Sequence, residues 1–572
     1  MGRLQKYLRP YWGFMIFTMI IKTAGALMEL MIPNLMETII DEKVPARDLS
    51  SIWLCGGLML LCAAMCLVMN IVANRMSAKS SGQITRAIRH DLFKKLTHFS
   101  ARQMDKLTVS SAESRLTSDT YNINQMLARL QRMGVRAPIL LLGGVFMMVR
   151  MDPVLSLVLV ALLPIIALVT YFVTKKSLPL YTKQQTILDQ VVRTVQENIT
   201  GVRVIKALSK TDFERNRFNT VNQALTEADQ KAGIVSAITN PTASLTLNLG
   251  LTLVVLVGAY RVNAGLMKGG VIVAFLQYFI MILNAMLGVT RIFVMWSKGE
   301  ASAKRVADVL ETPEDMEILP QTEPEKAPAH IEFKQVSFSY TGIGHNTCDL
   351  SFRLERGQTL GILGPTGSGK STILNLLMRL YDADDGQILI DGRDIRSIPF
   401  GELRQKFGVV FQNDFVMEGS IADNIRFFRD LSDNDIAAAA DAAQATFIAQ
   451  KEGGMEAEVQ VRGNNLSGGQ KQRLLIARAL AAQPEILVLD DASSALDYQT
   501  DANLRRALRE NFRDTTTVLV AQRISSLRHA DLILVLQEGG VIGMGNHEQL
   551  MASCEEYAYL AKIQMGEGQE VV

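Results

Sequence analysis

Residues 364–371 combine glycine, lysine and serine in a spacing that suits phosphate binding. They follow a short apolar run at 359–363, which predicts a strand, and a helical pattern begins at residue 372. Glycines leave backbone N–H groups free to surround phosphate oxygens at a helix N-terminus, a lysine neutralises their charge, and a serine hydroxyl can ligate magnesium. We therefore predict a nucleoside triphosphate site formed by Gly364, Pro365, Thr366, Gly367, Ser368, Gly369, Lys370, Ser371 and Thr372.

A second glycine-rich helix start lies further along the chain, before a helical pattern at 471–481. After it, an apolar strand pattern at 486–489 ends in Asp490 and Asp491. An acidic residue at the end of a buried strand beside a phosphate loop commonly holds the metal, so Asp490 is the metal candidate. Because one nucleotide does not need two such helix starts, the pattern indicates two nucleotides. The second helix start comprises Leu466, Ser467, Gly468, Gly469 and Gln470.

The elements that would position these residues follow a strongly apolar first half. Of the 572 residues, 48% are hydrophobic and 20% are charged, against about 25% charged in an average soluble domain. Six stretches are long enough to cross a bilayer, which takes about 20 residues each. The third is the weakest, because Arg136 lies near its start. The predicted spans lie near residues 12–40, 51–73, 135–149, 153–174, 241–260 and 271–295.

Lysine and arginine are concentrated in the loops after the second and fourth spans. The positive-inside rule makes both loops cytoplasmic, with the N-terminus and the C-terminal half on the same side of a plasma or inner membrane. Apolar residues recur every four positions at Ile84, Ile88, Leu92 and Leu96, so these loops are predicted to be helices that continue beyond the bilayer. The net charge of +2 provides no global field for nucleic acid, which excludes it as a partner.

The sequence resembles the ATP-binding cassette (ABC) family, and over its whole length the half-transporter type. Tyr340 falls at the adenine-stacking position and Gln412 at the Q-loop. Residues 364–371 match Walker A, 466–470 the signature and Asp490 Walker B. The membrane half is similar at 114–119 (SRLTSD), 197–207 (ENITGVRVIKA) and 301–310 (ASAKRVADVL). The D-loop position is occupied by Ser494, Ala495, Leu496 and Asp497.

This resemblance implies a multi-domain fold. An all-α six-helix transmembrane domain with long cytoplasmic helical extensions would occupy 1–310, a Pro- and Glu-rich linker 311–330, and an α/β P-loop ATP-binding cassette 331–572. It implies ATP and Mg2+ as cofactors, with the metal at Ser371, Gln412 and Asp490. It also implies a dimer in which each ATP lies between one chain's Walker motifs and the other's signature. Coupling helices would lie near 109–113 and 210–217.

Two positions around the expected γ-phosphate depart from the family pattern. Competent cassettes carry Glu after the Walker B Asp and His in the switch loop, whereas this chain has Asp491 and Gln522. Asp is one methylene shorter than Glu, and Gln cannot carry the positive charge of His. Val461 also replaces an acidic residue before the signature. We predict that this chain binds ATP but hydrolyses it poorly, as the degenerate-site subunit of a heterodimeric, multidrug-type exporter; a homodimer in which both changes are neutral is the alternative.

Polar residues at helical spacing in three spans suggest a substrate cavity. Lys22 and Glu29 lie seven residues apart in span one, where a charge at mid-bilayer costs about 2.5 to 3.5 kcal/mol. Interhelical hydrogen bonds that hold the bundle together explain the uncharged positions equally well. The other members of this stripe are Ser244, Asn248 and Thr252 in span five and Gln277, Asn284 and Arg291 in span six.

The leading hypothesis is ATP-driven export of a drug-like or lipid-like molecule. The expected partners of the chain are then a second half-transporter, the lipid bilayer and the transported small molecule. An exporter-fold importer of a metal chelate is the nearest alternative. A soluble ABC ATPase is opposed by the six spans, and an ATP-gated channel would show conductance without vectorial accumulation.

Overall fold

The computed structural model describes residues 2–320, 329–344, 346–412, 415–492 and 494–565, except for scattered side chains in the helices at 153–200, 211–237, 239–263 and 269–311, Arg291 among them. The chain divides into two compact units. The first comprises the described part of 1–97 and 110–312, and the second comprises 98–109 with the described part of 313–572.

The first unit is built from helices, and the six predicted spans all fall within long ones. A helix rises about 1.5 Å per residue, so the 49 residues of the helix Leu49–Thr97 extend about 74 Å, more than twice a hydrocarbon core of about 30 Å. Its second half is polar, as expected for an extension beyond the bilayer. The helices numbered through this half of the chain are α1 Gln5–Leu8, α2 Trp12–Thr38, α3 Leu49–Thr97, α4 Ala101–Leu107, α5 Val109–Ser114, α6 Thr120–Met151, α7 Pro153–Thr200, α8 Val202–Ala207, α9 Thr211–Ala237, α10 Thr239–Asn263 and α11 Gly269–Glu311.

Within the described residues, four helical segments are long and apolar enough to cross a membrane: Gly2–Lys43, Leu49–Thr97, Val109–Met151 and Gly269–Met286. A shorter apolar helix covers Leu247–Asn263. The remaining predicted span, 153–174, lies in α7, where many side chains are outside those the structure describes.

Hydrogen bonds between polar groups connect these helices at several positions along their length. The Arg305 guanidinium on α11 donates from Nε to Asp119 Oδ2 at 2.9 Å, just before α6. Asp41 accepts from the backbone N–H of Gly270 at 2.5 Å and so caps the start of α11. The Tyr278 hydroxyl donates to the Leu30 carbonyl at 2.6 Å between α11 and α2. These bonds satisfy polar groups that would be costly to leave unpaired among apolar side chains.

The second unit contains the phosphate-loop strand inside a sheet of six strands. Its order is β12-β11-β3-β10-β9-β6, parallel except for β12, which pairs antiparallel with β11. The inner strands β3 and β9 are buried almost throughout, which matches their unbroken apolar sequences. The strands are β1 Ile331–Phe338, β2 Thr347–Leu354, β3 Thr359–Leu363, β4 Asp385–Ile390, β5 Arg393–Asp394, β6 Phe407–Val410, β7 Gly419–Ser420, β8 Glu458–Val459, β9 Ile486–Asp490, β10 Thr516–Val520, β11 Leu532–Gln537 and β12 Gly540–Gly545.

A four-stranded sheet, β2-β1-β4-β5, and a two-stranded pair, β7-β8, complete the strands. Helices pack on both sheets, and helices and strands together supply the buried aliphatic side chains of two core clusters. They are α12 Lys370–Leu377, α13 Phe400–Gln405, α14 Ile421–Arg426, α15 Asp433–Ala442, α16 Phe447–Gln450, α17 Gly468–Leu480, α18 Tyr498–Asn511, α19 Ile524–Leu527, α20 His547–Ser553 and α21 Glu555–Met565.

The short helix α4 belongs to the second unit and corrects one expectation. We expected the coupling helix of the first cytoplasmic loop near 109–113. The residues of this loop that group with the second unit are 98–109. The Tyr381 hydroxyl donates to Asp105 Oδ2 at 2.5 Å, and Gln103 Nε2 donates to the Pro313 carbonyl at 2.7 Å. Ser100 and Gln103 form a capping box that starts α4, a local signal at the sequence level that the expectation overlooked.

Candidate functional site

The phosphate loop runs from the end of β3 into the start of α12. Gly367 and Gly369 adopt φ of +86° and +100°, which glycine reaches without a steric penalty. A Cβ at Gly364 would lie 2.5 Å from Ser368 Oγ and 2.6 Å from the Leu536 carbonyl oxygen, so no larger residue fits there. The glycine spacing therefore matches the shape of the loop.

Lys370 and Ser371 open α12 beside the end of β9. Lys370 Nζ donates to the carbonyl oxygens of Gly364 and Pro365, both at 2.8 Å, and burial lowers its pKa. Ser371 Oγ donates to Asp490 Oδ2 at 3.1 Å. The buried Ser368 hydroxyl has no hydrogen-bond partner among the described residues. A hydroxyl and a carboxylate in contact, with an unpartnered polar atom in a glycine cradle, suit a phosphate with a hard divalent cation.

Tyr340 lies near this loop on an aromatic platform. Its ring meets Phe338 edge-on with centroids 4.9 Å apart and Tyr381 edge-on at 5.0 Å. Tyr340 is 38% exposed, and its hydroxyl accepts from Asn375 Nδ2 at 3.1 Å. A fixed and partly exposed ring of this kind can stack on a planar base.

The two departures from the family pattern touch each other. Gln522 Nε2 donates to Asp491 Oδ2 at 3.2 Å, and the Asp491 backbone N–H donates to the Val520 carbonyl at 3.0 Å. Burial raises the pKa of Asp491, while Lys370 lowers it in part. Burial also raises the pKa of the neighbouring Asp490. The carboxylate at the base position is thus held against the residue at the switch position.

The second glycine-rich helix start begins α17. Ser467 is its N-cap and accepts from the Gln470 backbone N–H at 3.3 Å, while the Gln470 side chain accepts from the Ser467 N–H at 3.0 Å. Gly469 lies against Ala495, whose carbonyl oxygen would be 3.1 Å from an added Cβ. The signature segment and the D-loop segment of one chain therefore pack together. The intervening Ser493 lies outside the described residues.

The structure places the remaining cassette positions as follows. Leu466 is partly buried against the core, and Leu496 is buried. Asp497 is the N-cap of α18 and accepts from the Thr500 backbone N–H at 2.8 Å. Gln412 follows β6 and is exposed, and residues 413–414 beyond it are outside the described part. Val461 is exposed in a short turn before the signature.

Two glutamines that the sequence analysis did not consider connect the site to other elements. Gln472 on α17 donates to the Asp491 carbonyl at 3.3 Å and accepts from the Ala495 N–H at 3.0 Å. Gln564 on α21 donates to the Gln522 carbonyl at 3.1 Å and accepts from the Ile524 N–H at 2.8 Å. Neither residue belongs to the motifs described in the sequence analysis, and the tertiary structure identifies these contacts.

The first unit contains a cavity of about 410 Å³ between α2, α6 and α11. Three of the predicted polar positions line it: Glu29, Gln277 and Asn284. Arg136, which the sequence analysis does not assign to the cavity, lines it as well, and its Nη2 lies 2.7 Å from Glu29 Oε1 in an ion pair. The other lining residues are Met133, Ala137, Leu140, Ile280, Met281, Ala285 and Gly288.

The other members of the predicted stripe lie elsewhere. Lys22 does not line this cavity: it is 5% exposed, and its Nζ donates to Asn70 Oδ1 at 2.5 Å and Asn74 Oδ1 at 3.3 Å on α3. Ser244 and Asn248 are exposed on α10, and Asn248 donates to the Ser244 carbonyl of its own helix at 2.8 Å. At the position of Lys22, the helix of span one packs beside α3. The spacing of residues within one helix could not predict that neighbour.

Comparisons with known proteins agree with this architecture. Residues 15–286 match the family model of the ABC transporter transmembrane region, and residues 347–494 match the family model of the ABC transporter. An uncharacterized ABC transporter ATP-binding protein of Mycobacterium tuberculosis is 32% identical over 98% of this chain and 97% of its own length. A fatty acid ABC transporter ATP-binding/permease protein of Mycobacterium bovis is 35% identical over 80% of this chain and 72% of its own length.

The solved structure of a bacterial Atm1-family ABC exporter with ATP bound is also similar. It is 25% identical, with a TM-score of 0.80, over 98% of this chain and 99% of that one. This chain belongs to the ABC transporter family, as an exporter-type half-transporter with a helical membrane domain followed by an α/β cassette. It is a multi-pass inner-membrane protein whose cassette is an ATP-binding, transport-coupled ATPase domain, and such halves act as dimers or with a partner half.

Proposed function

We propose that this chain is the degenerate-site half of a heterodimeric exporter that moves an amphipathic, lipid-like or drug-like molecule out of the cell. The membrane domain over 1–310 would carry the substrate path, the linker 311–330 would join it to the cassette, and the cassette over 331–572 would bind ATP. In a heterodimer, the chain's signature at 466–470 would complete the partner's ATP site.

In the proposed ATP site, Tyr340 stacks on the adenine and the loop 364–371 surrounds the phosphates. Lys370 exchanges its two carbonyl acceptors for phosphate oxygens, which gives a partly buried cation anionic partners in place of neutral ones. Ser371 and Asp490, which are in hydrogen-bond contact, would hold Mg2+, with Gln412 as the third expected ligand. When bound, Mg2+ neutralises charge on the β- and γ-phosphates.

The contact between Gln522 and Asp491 carries the proposal of poor hydrolysis. A general base must reach the attacking water, yet the shorter Asp491 carboxylate accepts a bond from a neutral amide at 3.2 Å. Gln522 has no titratable proton with which to respond to charge on the γ-phosphate. Binding elements are retained while both groups next to the reacting phosphate differ, which favours a site that holds ATP.

The substrate class has weaker support. A relative named as a fatty acid transporter shares 35% identity with this chain. The cavity beside Arg136 combines apolar and polar walls, which suits an amphipathic molecule.

The test is ATP hydrolysis by the full-length chain purified alone and together with the second half-transporter that co-purifies with it, at matched concentrations in lipid discs. We expect the pair to turn over ATP and the lone chain to bind ATP with little turnover. A lone chain that forms a homodimer and hydrolyses ATP as fast as the pair would show that Asp491 is an adequate base and that the heterodimer proposal is wrong.

A further inference from the structure

Arg136 keeps part of its hydrogen-bonding capacity free at the cavity. Its Nη2 donates to both Glu29 oxygens, at 2.7 and 2.9 Å, and its Nε donates to Glu29 Oε2 at 3.2 Å. A guanidinium has five N–H donors, and no described residue accepts from Nη1. The Arg136 side chain is 40% exposed and Glu29 22%. Glu29 therefore fixes one edge of the guanidinium and leaves the Nη1 edge available.

The charges around this pair do not balance. Arg132 and Arg136 on α6 and Glu29 on α2 all lie within electrostatic range of the Lys22 ammonium group. Lys22 binds amide oxygens, and Arg132 donates to the Ala128 carbonyl, so neither has a carboxylate in ion-pair contact among the described residues. Three cationic side chains therefore lie in the neighbourhood of Glu29, and of the three Arg136 is the one that lines the cavity. In surroundings of low dielectric this surplus favours an anion and repels a cation.

The opposite wall of the cavity provides uncharged donors and an apolar lining. Gln277 and Asn284 lie two turns apart on one face of α11, and neither amide has a hydrogen-bond partner among the described residues. Met133, Leu140 and Met281 line the same cavity. Its volume of about 410 Å³ is within the range of small-molecule pockets, roughly 300 to 1,000 Å³.

From these contacts we infer that the cavity binds an amphiphile with an oxyanion headgroup, a carboxylate or a phosphate monoester. The Nη1 edge of Arg136 receives the headgroup, Glu29 positions the guanidinium, and Gln277 and Asn284 donate to the remaining oxygens. The inference rests on the proposed export function and narrows its substrate class. A neutral headgroup leaves the positive surplus uncompensated, and a cationic one is repelled.

The test is equilibrium binding of four ten-carbon probes to the full-length transporter in uncharged lipid discs: decanoate, decyl phosphate, decanol and decyltrimethylammonium. A charge-assisted hydrogen bond makes at least one of the two anions bind about tenfold or more tighter than decanol. The stronger of decanoate and decyl phosphate identifies which oxyanion the site prefers. If decanol or the cation binds as tightly as the better anion, the headgroup inference is overturned while export of an amphiphile stands. If none of the four binds, both proposals fail.

Substitutions separate headgroup binding from a purely structural ion pair. Arg136→Gln is expected to lower affinity for the preferred anion about tenfold and leave decanol unchanged. Glu29→Gln is expected to maintain or raise anion affinity, because the guanidinium charge is no longer neutralised. Arg75→Gln, an exposed charge removal on α3, is the matched control and leaves all four affinities unchanged.

The double variant Glu29→Gln/Arg136→Gln leaves neither charge unpaired and is used if Arg136→Gln does not fold. It is expected to bind decanol normally and to lose the preference for anions. If the single variants Glu29→Gln and Arg136→Gln weaken all four probes equally, or the double variant keeps the anion preference, the pair only holds α2 and α6 together and the inference is wrong.

Discussion

The double replacement Asp491→Glu with Gln522→His is expected to restore hydrolysis at this chain's ATP site. In the structure, Asp491 is fixed from two sides, by its backbone bond to Val520 at 3.0 Å and by the Gln522 amide at 3.2 Å. The carboxylate therefore cannot swing outward without losing a hydrogen bond. Glu at this position extends the carboxylate by one carbon–carbon bond, about 1.5 Å.

The expected size of the gain follows from that distance. Misplacing a catalytic group by about 1 Å costs on the order of 100-fold in rate, or about 2.7 kcal/mol. The bond from Gln522 to Asp491 is between a neutral donor and a carboxylate, and such bonds contribute about 1.5 to 3 kcal/mol, part of which His would retain. Asp491→Glu alone should therefore supply most of a gain of about 100-fold, and Gln522→His alone should supply about tenfold or less.

The assay is phosphate release by the full transporter in lipid discs, with the partner's catalytic carboxylate neutralised so that only this chain's site can turn over. Asp441→Asn, an exposed position on α15, is the control for an Asp substitution away from the site. Asp491→Asn should change the low starting rate less than twofold. A drop of more than tenfold in Asp491→Asn would refute the reasoning, because it would show that Asp491 already acts as the base.

Two further predictions concern buried polar groups. Asn70→Leu removes the oxygen that accepts a hydrogen bond from Lys22 at 2.5 Å, and it should lower the thermal unfolding midpoint of the protein in detergent by several degrees. Adding Lys22→Met should recover most of that loss, because the buried charge is then gone as well. A double variant that is no more stable than Asn70→Leu would contradict this prediction. His330 is 2% exposed, and burial lowers its pKa although Asp391 acts in the opposite direction. Because the unfolded chain then takes up a proton at a higher pH than the folded chain, stability should fall as the pH drops below about 6.5. In thermal unfolding between pH 7.5 and 5.5, His330→Gln should make the midpoint depend less on pH. Identical slopes of midpoint against pH in the variant and the parent protein would contradict this prediction.

Local signals in the sequence located the strands that lead into the phosphate loop and into Asp490. The strand predicted at 359–363 is β3 with the same bounds, and the apolar run at 486–489 lies in β9, which also includes Asp490. Such elements depend on neighbouring residues, so periodicity and glycine spacing reveal them. The roles assigned to the residues remain predictions.

Contacts between distant segments could not be predicted in this way. Lys22 and Glu29 do share a helical face, as their seven-residue spacing predicts, but they meet different neighbours. Lys22 contacts α3 and Glu29 contacts Arg136 on α6, 107 residues away. Packed helices cross at an angle, so the neighbour of one face changes along its length. Spacing within one helix therefore indicates which residues are aligned and leaves their partners undetermined.

Asp491 and Gln522, the two residues that differ from the family pattern, are in contact, so they are not independent evidence for a degenerate site. From the sequence they count as separate losses, 31 residues apart, and each adds its own evidence for a degenerate site. In the structure they share a hydrogen bond, so one change alters the surroundings of the other. Substitutions in direct contact commonly couple by about 0.5 to 3 kcal/mol. The rate gains from Asp491→Glu and Gln522→His made singly should therefore not sum to the gain from the double replacement. The double-mutant cycle, rather than the number of unusual residues, measures how much hydrolytic activity this site has lost.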